Sequence, residues 1–128
     1  MSFLDKSIKS ENVAKLSYDE NLYDSSINRY YYSFFQRLKH TLDIKDINIS
    51  EDDINKAGSH DETKQKYIEY LQKKGSKSMH KISVINRNYS RMKQLRKKAD
   101  YLDVECSKED ADRFKKWFSE NIEIITKS

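Results

Sequence analysis

The sequence predicts an all-α fold, an antiparallel up-and-down bundle of four to five helices that forms a single domain over residues 1–128. Three observations predict it. Proline is absent and glycine occurs only twice, so the residues that make tight turns and hairpins are scarce. Aromatic residues make up 12% of the chain, enough to build a core despite the high charge. Apolar residues recur with the helical period, and such stripes bury best when helices pack antiparallel.

Two amphipathic segments predict the first two helices. Residues 3–18 are weakly amphipathic, and their apolar members are Phe3, Leu4, Ile8, Val13 and Leu16. A stronger stripe over about 25–43 predicts a second helix with Asp24 or Ser25 as its N-cap. Its members are Ile27, Tyr31, Phe34, Leu38 and Leu42, widened by Phe35.

Three further helices are expected. Residues 44–60 predict a loop, with one short helical turn at 51–56, and a helix near 61–74 should end at Gly75, a natural C-cap. A long helix over about 77–102 carries the stripe Ile82, Ile85, Tyr89, Met92 and Ala99. The last helix should be capped by Ser107 and followed by acids that suit its positive end. Its stripe is Ala111, Phe114, Phe118, Ile122 and Ile125, with Trp117 alongside.

Positive charge is concentrated in the second half of the chain. Residues 1–63 carry a net charge of −4 and residues 64–128 one of +8, and the stretch 64–98 holds twelve bases and one acid. On the long helix, Arg87, Arg91, Gln94 and Lys98 recur at i, +4, +7 and +11 and form an outward stripe. Clustered bases of this kind are typical of phosphate binding. The alternative is a solvated face that pairs with the acidic half of this or another chain.

Arg96 differs from that stripe because its position places it on the apolar face of the long helix or at its border. A charge buried there needs a partner, and Asp100 lies four residues further on. Two interpretations stay open: a structural ion pair at the rim of the bundle, or an arginine held in a groove between helices.

Several classes of protein are disfavoured by composition. The single cysteine, Cys106, cannot form an internal disulfide, which favours a reducing cytoplasm. The three histidines include no i, i+4 pair, so a metal site is not expected, and no glycine-rich loop indicates a cofactor. No apolar run approaches the length of a membrane span, and charge interrupts the first residues too soon for a signal peptide.

Two polar features of the second helix concern function and assembly. Arg29, Gln36 and His40 share the face opposite the apolar stripe, with Arg37 one turn before His40. An arginine and a histidine together suit metal-free cleavage of a phosphodiester, although such pairs are common on helices and a solvated face is the simpler explanation. The tyrosines at positions 30–32 point in three directions and predict an interface, in a homodimer or with a partner protein. They are Tyr30, Tyr31 and Tyr32.

Four segments resemble HEPN domains. The stretch 25–35 is similar to their Asn-Arg-x-Tyr-Tyr-x-x-Phe pattern, and Ser59-His60 resembles the step before their second helix. Residues 96–101 resemble the Arg-x-x-Ala-Asp-Tyr ending of the family's long helix, and 107–111 resemble the acidic start of its last one. The resemblance covers about residues 20–127. The matching motif residues are Asn28, Arg29, Tyr31, Tyr32, Arg96, Asp100 and Tyr101.

The resemblance implies a helical bundle, often a homodimer, of the kind found in prokaryotic toxin–antitoxin and phage-defence systems. Catalytic members are metal-independent RNases with an Arg-x4–6-His motif. That motif is absent, since Arg37 precedes His40 by three residues and Arg87 has no histidine at the spacing. We therefore expect a non-catalytic module that binds RNA, DNA or a nucleotide through Arg87, Arg91, Arg96 and Lys98. The alternatives are a divergent RNase that uses Arg29, Arg37, His40 or His60, and a structural interaction partner.

Overall fold

The structure, a computed structural model, describes residues 2–47 and 59–127. These residues form five α-helices and one 3₁₀ turn (Ser76–Ser78), with no strand among them. The predicted all-α bundle is confirmed; the turn expected at 51–56 lies outside the described residues. The helices are α1 (Phe3–Asp19), α2 (Tyr23–Ile44), α3 (Ser59–Lys73), α4 (Met79–Tyr101) and α5 (Lys108–Lys127).

The helix α4 lies between two groups of neighbours. It runs antiparallel to α2, because Asn28 contacts Asp100 near one end while Phe35 contacts Tyr89 further along. It also runs antiparallel to α5, where Lys98 meets Asp110. The side of α4 that carries Tyr89 faces α2 and α3, and the side that carries Arg91 and Lys98 borders α5, which itself packs against α2.

The core is built from the predicted stripes of α2 and α5. Ile27, Phe34 and Leu38 of α2 are fully buried, as are Phe114 and, nearly so, Phe118 of α5. The ring of Tyr30 packs on Phe118 with 4.8 Å between centroids. The expectation that these two stripes share one core is confirmed.

The buried face of α1 differs from the expected one. The helix itself is confirmed, but Ile8, Val13 and Leu16 are exposed, and Leu16 keeps 64% of its surface in contact with solvent. The residues that face α2 are small: Ser7, Ser10, Ala14 and Ser17. Small side chains let the two backbones approach closely enough for hydroxyl groups to bond main-chain carbonyls across the contact.

Those hydroxyl groups make reciprocal bonds between α1 and α2. The Ser7 hydroxyl donates to the Ser33 carbonyl at 2.9 Å, and the Ser33 hydroxyl donates to the Ser7 carbonyl at 2.8 Å. The Ser26 hydroxyl donates to the Ala14 carbonyl at 2.8 Å. Hydrogen bonds therefore replace the apolar stripe that the sequence suggested for α1.

Helix ends agree with the sequence at α5 and differ at α2 and α3. The Ser107 hydroxyl accepts from the Asp110 N–H and the Asp110 carboxylate accepts from the Ser107 N–H, both at 3.1 Å, which is the expected cap. The helix α2 begins at Tyr23, before both predicted caps, and Asp24 instead accepts from the Cys106 N–H at 2.8 Å. The helix α3 begins two residues earlier than expected.

The chain turns from α3 into the 3₁₀ segment at Gly75. Its φ of +98° lies in a region that residues with a Cβ rarely adopt. The predicted end of α3 at this glycine is confirmed, since the helix stops at Lys73. Among the helices of the described residues, none combines the length and apolar character required to cross a membrane.

Candidate functional site

Arginine and aromatic side chains gather on both faces of α4, and the two sites that they form differ in how the charges are satisfied. We call the one between α4 and α5 the cationic groove. It encloses about 480 Å³ and is lined by Arg91, Gln94, Leu95, Lys98, Leu102, Arg113 and Trp117. That volume falls within the range of ligand sites.

One buried carboxylate is shared by two cations of the cationic groove. Asp110 lies 2.9 Å from the Lys98 ammonium and 2.5 Å from the Arg113 guanidinium. Burial alone would raise the pKa of Asp110, but the hydrogen bonds from Lys98, the Ser107 N–H and Arg113 outweigh it and lower the pKa to about 2. The Asp110 carboxylate is therefore ionised at neutral pH and balances one of its two partners.

The remaining cations on this face have no acidic partner among the described residues. Arg87 is exposed and lies one turn before Arg91. The Arg91 guanidinium lies over the Trp117 ring, 5.9 Å from its centroid. The surface around the cationic groove thus keeps a net positive charge that solvent or an anion must balance.

On the opposite face of α4, residues of α2, α3 and α4 form an aromatic–arginine cluster. Its members are Asn28, Tyr31, Phe35, His60, Asp61, Tyr89, Lys93, Arg96, Asp100 and Tyr101. The motif residues that carry the HEPN resemblance, apart from Arg29, meet here, although they lie far apart in sequence; Tyr32 joins them through an edge-on contact with His60, 6.2 Å between centroids.

Arg96 is the central cation of this cluster. Its guanidinium lies over two rings, 5.2 Å from the centroid of Tyr31 and 5.3 Å from that of Tyr101. Its Nε is 2.8 Å from Oδ2 of Asp100 but not at an angle that makes a hydrogen bond, so charge holds the pair. The amide of Asn28 donates to both oxygens of Asp100, at 3.0 and 3.1 Å.

Arg96 forms the ion pair with Asp100 that was one of the two interpretations of the sequence. It contacts α2 residues, whereas Arg91 and Lys98 contact α5 residues. The structure therefore does not bring Arg96 together with the other three predicted phosphate-binding residues.

His60 is enclosed by the rings of α2. It stacks on Phe35 with 3.9 Å between centroids and meets Tyr31 edge-on at 5.4 Å. Burial, with the nearby charges of Lys39 and Arg96, lowers the pKa of His60 from 6.5 to about 4. The imidazole is consequently neutral at pH 7 and is not the imidazolium form that would protonate a leaving group.

A second carboxylate ties α3 to α4 beside His60. The Tyr89 hydroxyl donates to Asp61 at 2.6 Å, and Lys93 lies 2.9 Å from the same carboxylate. The hydrogen bond from Tyr89 lowers the pKa of Asp61 against the opposing effect of burial. Burial first, and then the bond to Asp61, raises the pKa of Tyr89.

Two of the three tyrosines predicted to form an interface are buried in the core of the bundle. Tyr30 and Tyr31 are buried within the chain, and Tyr32 keeps 36% of its surface exposed. Two of the three rings did find room inside one bundle, because α2 is covered on several sides by α1, α4 and α5. An interface through these tyrosines therefore concerns Tyr32, and it stays a prediction.

The predicted RNase residues lie in three separate places. Arg37 and His40 line a cavity of about 250 Å³ where the end of α2 meets α5. Arg29 lines another of about 300 Å³ with Asn28 and Asp100. His60 lies in the aromatic–arginine cluster.

Sequence reasoning missed the contribution of α5 to the cationic groove. Arg113 and Trp117 are four residues apart and so share a face of their helix. That spacing was visible in the sequence, but only the tertiary contact with α4 shows that this face meets Arg91 and Lys98. Comparisons with protein-family models, curated proteins and solved structures found no match for this chain.

Proposed function

We propose that this protein is a HEPN-like module that binds nucleic acid or nucleotides, with phosphate groups held along the outward face of α4. The observation that carries the proposal is the surplus of cations around the cationic groove. Arg87 and Arg91 have no acid partner among the described residues, and Lys98 shares Asp110 with Arg113. Clustered bases without counter-charges are the electrostatic footprint of phosphate binding.

Two other cavities of the described residues suit an anion less well. The one formed by residues 21–25 and 105–107 encloses about 390 Å³, but Asp24 and Glu105 line it. The cavity at Arg29 also contains two acids, Asp24 and Asp100. The negative carboxylates of these acids repel a phosphate, so these two cavities support no competing phosphate site.

The wider role rests on the HEPN resemblance. It suggests a cytoplasmic protein of a toxin–antitoxin or phage-defence system that acts as a homodimer or with a partner protein. Tyr32 is the residue of the tyrosine run that remains available to such a partner.

The test measures binding of a labelled RNA or DNA oligonucleotide over a range of salt concentrations. Arg87, Arg91 and Lys98 are replaced together by glutamine, and the control replaces three exposed lysines elsewhere: Lys73, Lys77 and Lys97. Both variants lose the same charge. We expect the slope of log affinity against log salt to fall by about 2 in the first variant, since each single-strand contact contributes about 0.7.

Two results would contradict this proposal. Equal losses in both variants would mean that binding follows net charge rather than a site. No binding of RNA, DNA or nucleotide at low salt would leave the cations as a solvated face or as a dock for an acidic protein, which is the interaction-partner alternative.

A divergent RNase is the second candidate, and one observation favours it. Arg37, His40 and Lys45 line the same cavity, so a histidine and two cations are close enough to serve one phosphodiester. Against it, Arg37 also donates to the Ser7 hydroxyl at 3.4 Å. Asn88, which follows Arg87 where catalytic members have a polar residue, is buried and donates to Asn121 at 3.0 Å.

We expect no strong cleavage when the purified protein is incubated with total RNA in EDTA. The decisive variants are His40→Ala and His60→Ala, with His80→Ala as the exposed control. Cleavage that vanishes with His40→Ala and survives His80→Ala would establish the RNase function.

A further inference from the structure

Phosphate binding alone does not explain the apolar part of the cationic groove. Leu95 and Trp117 are partly buried, while Leu102 keeps 62% of its surface exposed at the end of α4. A site that bound phosphate only would gain nothing from this apolar surface. A ligand that carries both a flat apolar group and an adjoining anion would contact both parts.

The indole of Trp117 offers a place for a flat group. The side chain lines the groove together with the two leucines and with three cations, Arg91, Lys98 and Arg113. Among the described residues, this ring contact is the one ring contact, ion pair or side-chain hydrogen bond that Arg91 makes. An arginine held only by a ring can turn its N–H groups to a phosphate and leave the ring face to another planar group.

We infer that the cationic groove holds an unpaired nucleobase over Trp117 while Arg91, Lys98 and Arg113 bind the neighbouring phosphates, so that the protein selects single-stranded nucleic acid over duplex. The inference rests on the proposed phosphate-binding function and specifies its substrate. Binding of single strands by other proteins combines a positive groove with aromatic rings on which bases stack.

A duplex cannot use the same features. Its bases are stacked on one another and only their edges are accessible, so it presents phosphates to the cations but no free base face to Trp117. The groove, at about 480 Å³, is also too small to admit a double helix.

An acidic peptide is the competing occupant, and the spacing of charges favours the nucleic acid. Arg87 and Arg91 are one helical turn apart, about 6 Å along the axis of α4. Lys98 continues the same stripe two turns later. A nucleic acid carries a phosphate on every nucleotide and can therefore pair with this row of cations whatever its sequence. A peptide would need acidic residues at particular positions and an aromatic residue between them.

Tryptophan fluorescence reports on this site directly, because Trp117 is the only tryptophan of the chain. The probes are a single-stranded RNA of about 12 nucleotides, the same sequence as a duplex, and polyglutamate. We expect the single strand to quench Trp117 emission and the duplex to bind more weakly with little quenching.

Variants separate stacking from charge. Binding of a labelled single strand is measured for Trp117→Leu, which removes the ring, and for Trp117→Phe, which keeps a smaller ring. We expect affinity to fall about 5- to 100-fold in the leucine variant, as for loss of one base–aromatic stack. Its affinity for the duplex should be unchanged, and the phenylalanine variant should recover part of the loss.

The outcomes distinguish this inference from the function on which it rests. Salt-dependent binding that is equal for single strand and duplex, with no quenching, would overturn the inference and leave the phosphate function standing. No binding of either nucleic acid would overturn both. Polyglutamate that binds and quenches as well as the RNA would assign the groove to an acidic protein. If Trp117→Leu does not fold, the quenching of wild-type Trp117 emission and the affinity of Trp117→Phe still test whether a base stacks on this ring.

Discussion

The cationic groove and the aromatic–arginine cluster lie on opposite faces of one helix and use the same kinds of residue. In the cluster, Arg96 has two rings and the carboxylate of Asp100. In the groove, Arg91 has one ring and no acid partner among the described residues. The difference teaches that the number of arginines does not identify a binding site; the charge left unbalanced does.

Phe35→Ala should produce the largest change and should confine it to stability. Phe35 is buried and contacts His60, Tyr31 and Tyr89. Its loss should lower the free energy of unfolding by about 3–5 kcal/mol, measured by urea denaturation. Single-strand affinity of the folded fraction should not change. A matched loss of affinity would show that the two faces of α4 are coupled.

Acid should weaken the cluster before it affects the groove. The unfolded chain takes up a proton at His60 near pH 6.5, and the folded chain only near the lowered pKa of about 4. Stability from the neutral ring is complete above pH 6.5 and is lost as the pH falls toward 4.

The measurement is the free energy of unfolding at several pH values for wild type and His60→Phe, which keeps an aromatic ring. We expect the phenylalanine variant to lack the slope between pH 6.5 and 4. Asp110, with a pKa lowered to about 2, contributes to stability above its ordinary pKa of 3.8 and loses this only as the pH falls from there toward 2. The same slope in both proteins would refute the role of His60.

Asp110→Asn should move stability and binding in opposite directions. The change removes the charge that Lys98 and Arg113 share and weakens the cap of α5, which should cost about 1–2 kcal/mol of stability. The groove gains one net positive charge, so RNA should bind several-fold more tightly at low salt. Weaker binding, measured on the folded protein, would mean that Asp110 positions the cations rather than competing for them.

The smallest expected effects come from a pair of single substitutions on α4. Arg96→Gln should cost about 1 kcal/mol of stability, as for a rim ion pair, and leave RNA affinity unchanged. Arg91→Gln should leave stability within about 0.5 kcal/mol and weaken RNA binding. Weaker RNA binding by Arg96→Gln together with unchanged binding by Arg91→Gln would mean that the aromatic–arginine cluster, and not the cationic groove, binds RNA.

The sequence predicted most of the fold because periodic apolar residues determine which face of a long helix is buried. In α2, α4 and α5 the predicted apolar stripe is the buried face of the helix. The α1 face could not be predicted by this rule, because serines and Ala14 give the closest approach to α2 and displace Ile8, Val13 and Leu16 to the surface.

The candidate site was predictable only in part. The cations of α4 were visible as a stripe at helical spacing. Separating Arg96 from Arg91 and Lys98 required knowing which neighbour each residue faces, and so did adding Arg113 and Trp117 from α5. Such tertiary contacts are not encoded in the period of any single helix.

The serine-lined contact of α1 has a consequence for how the bundle comes apart. The contact is held partly by bonds between hydroxyls and carbonyls instead of a large apolar stripe, so we expect that detaching α1 exposes less apolar surface than detaching α5 and changes the heat capacity less. Local opening of this kind responds weakly to denaturant. The amides of α1 should therefore exchange hydrogen faster than those of α2, at a rate that urea hardly alters.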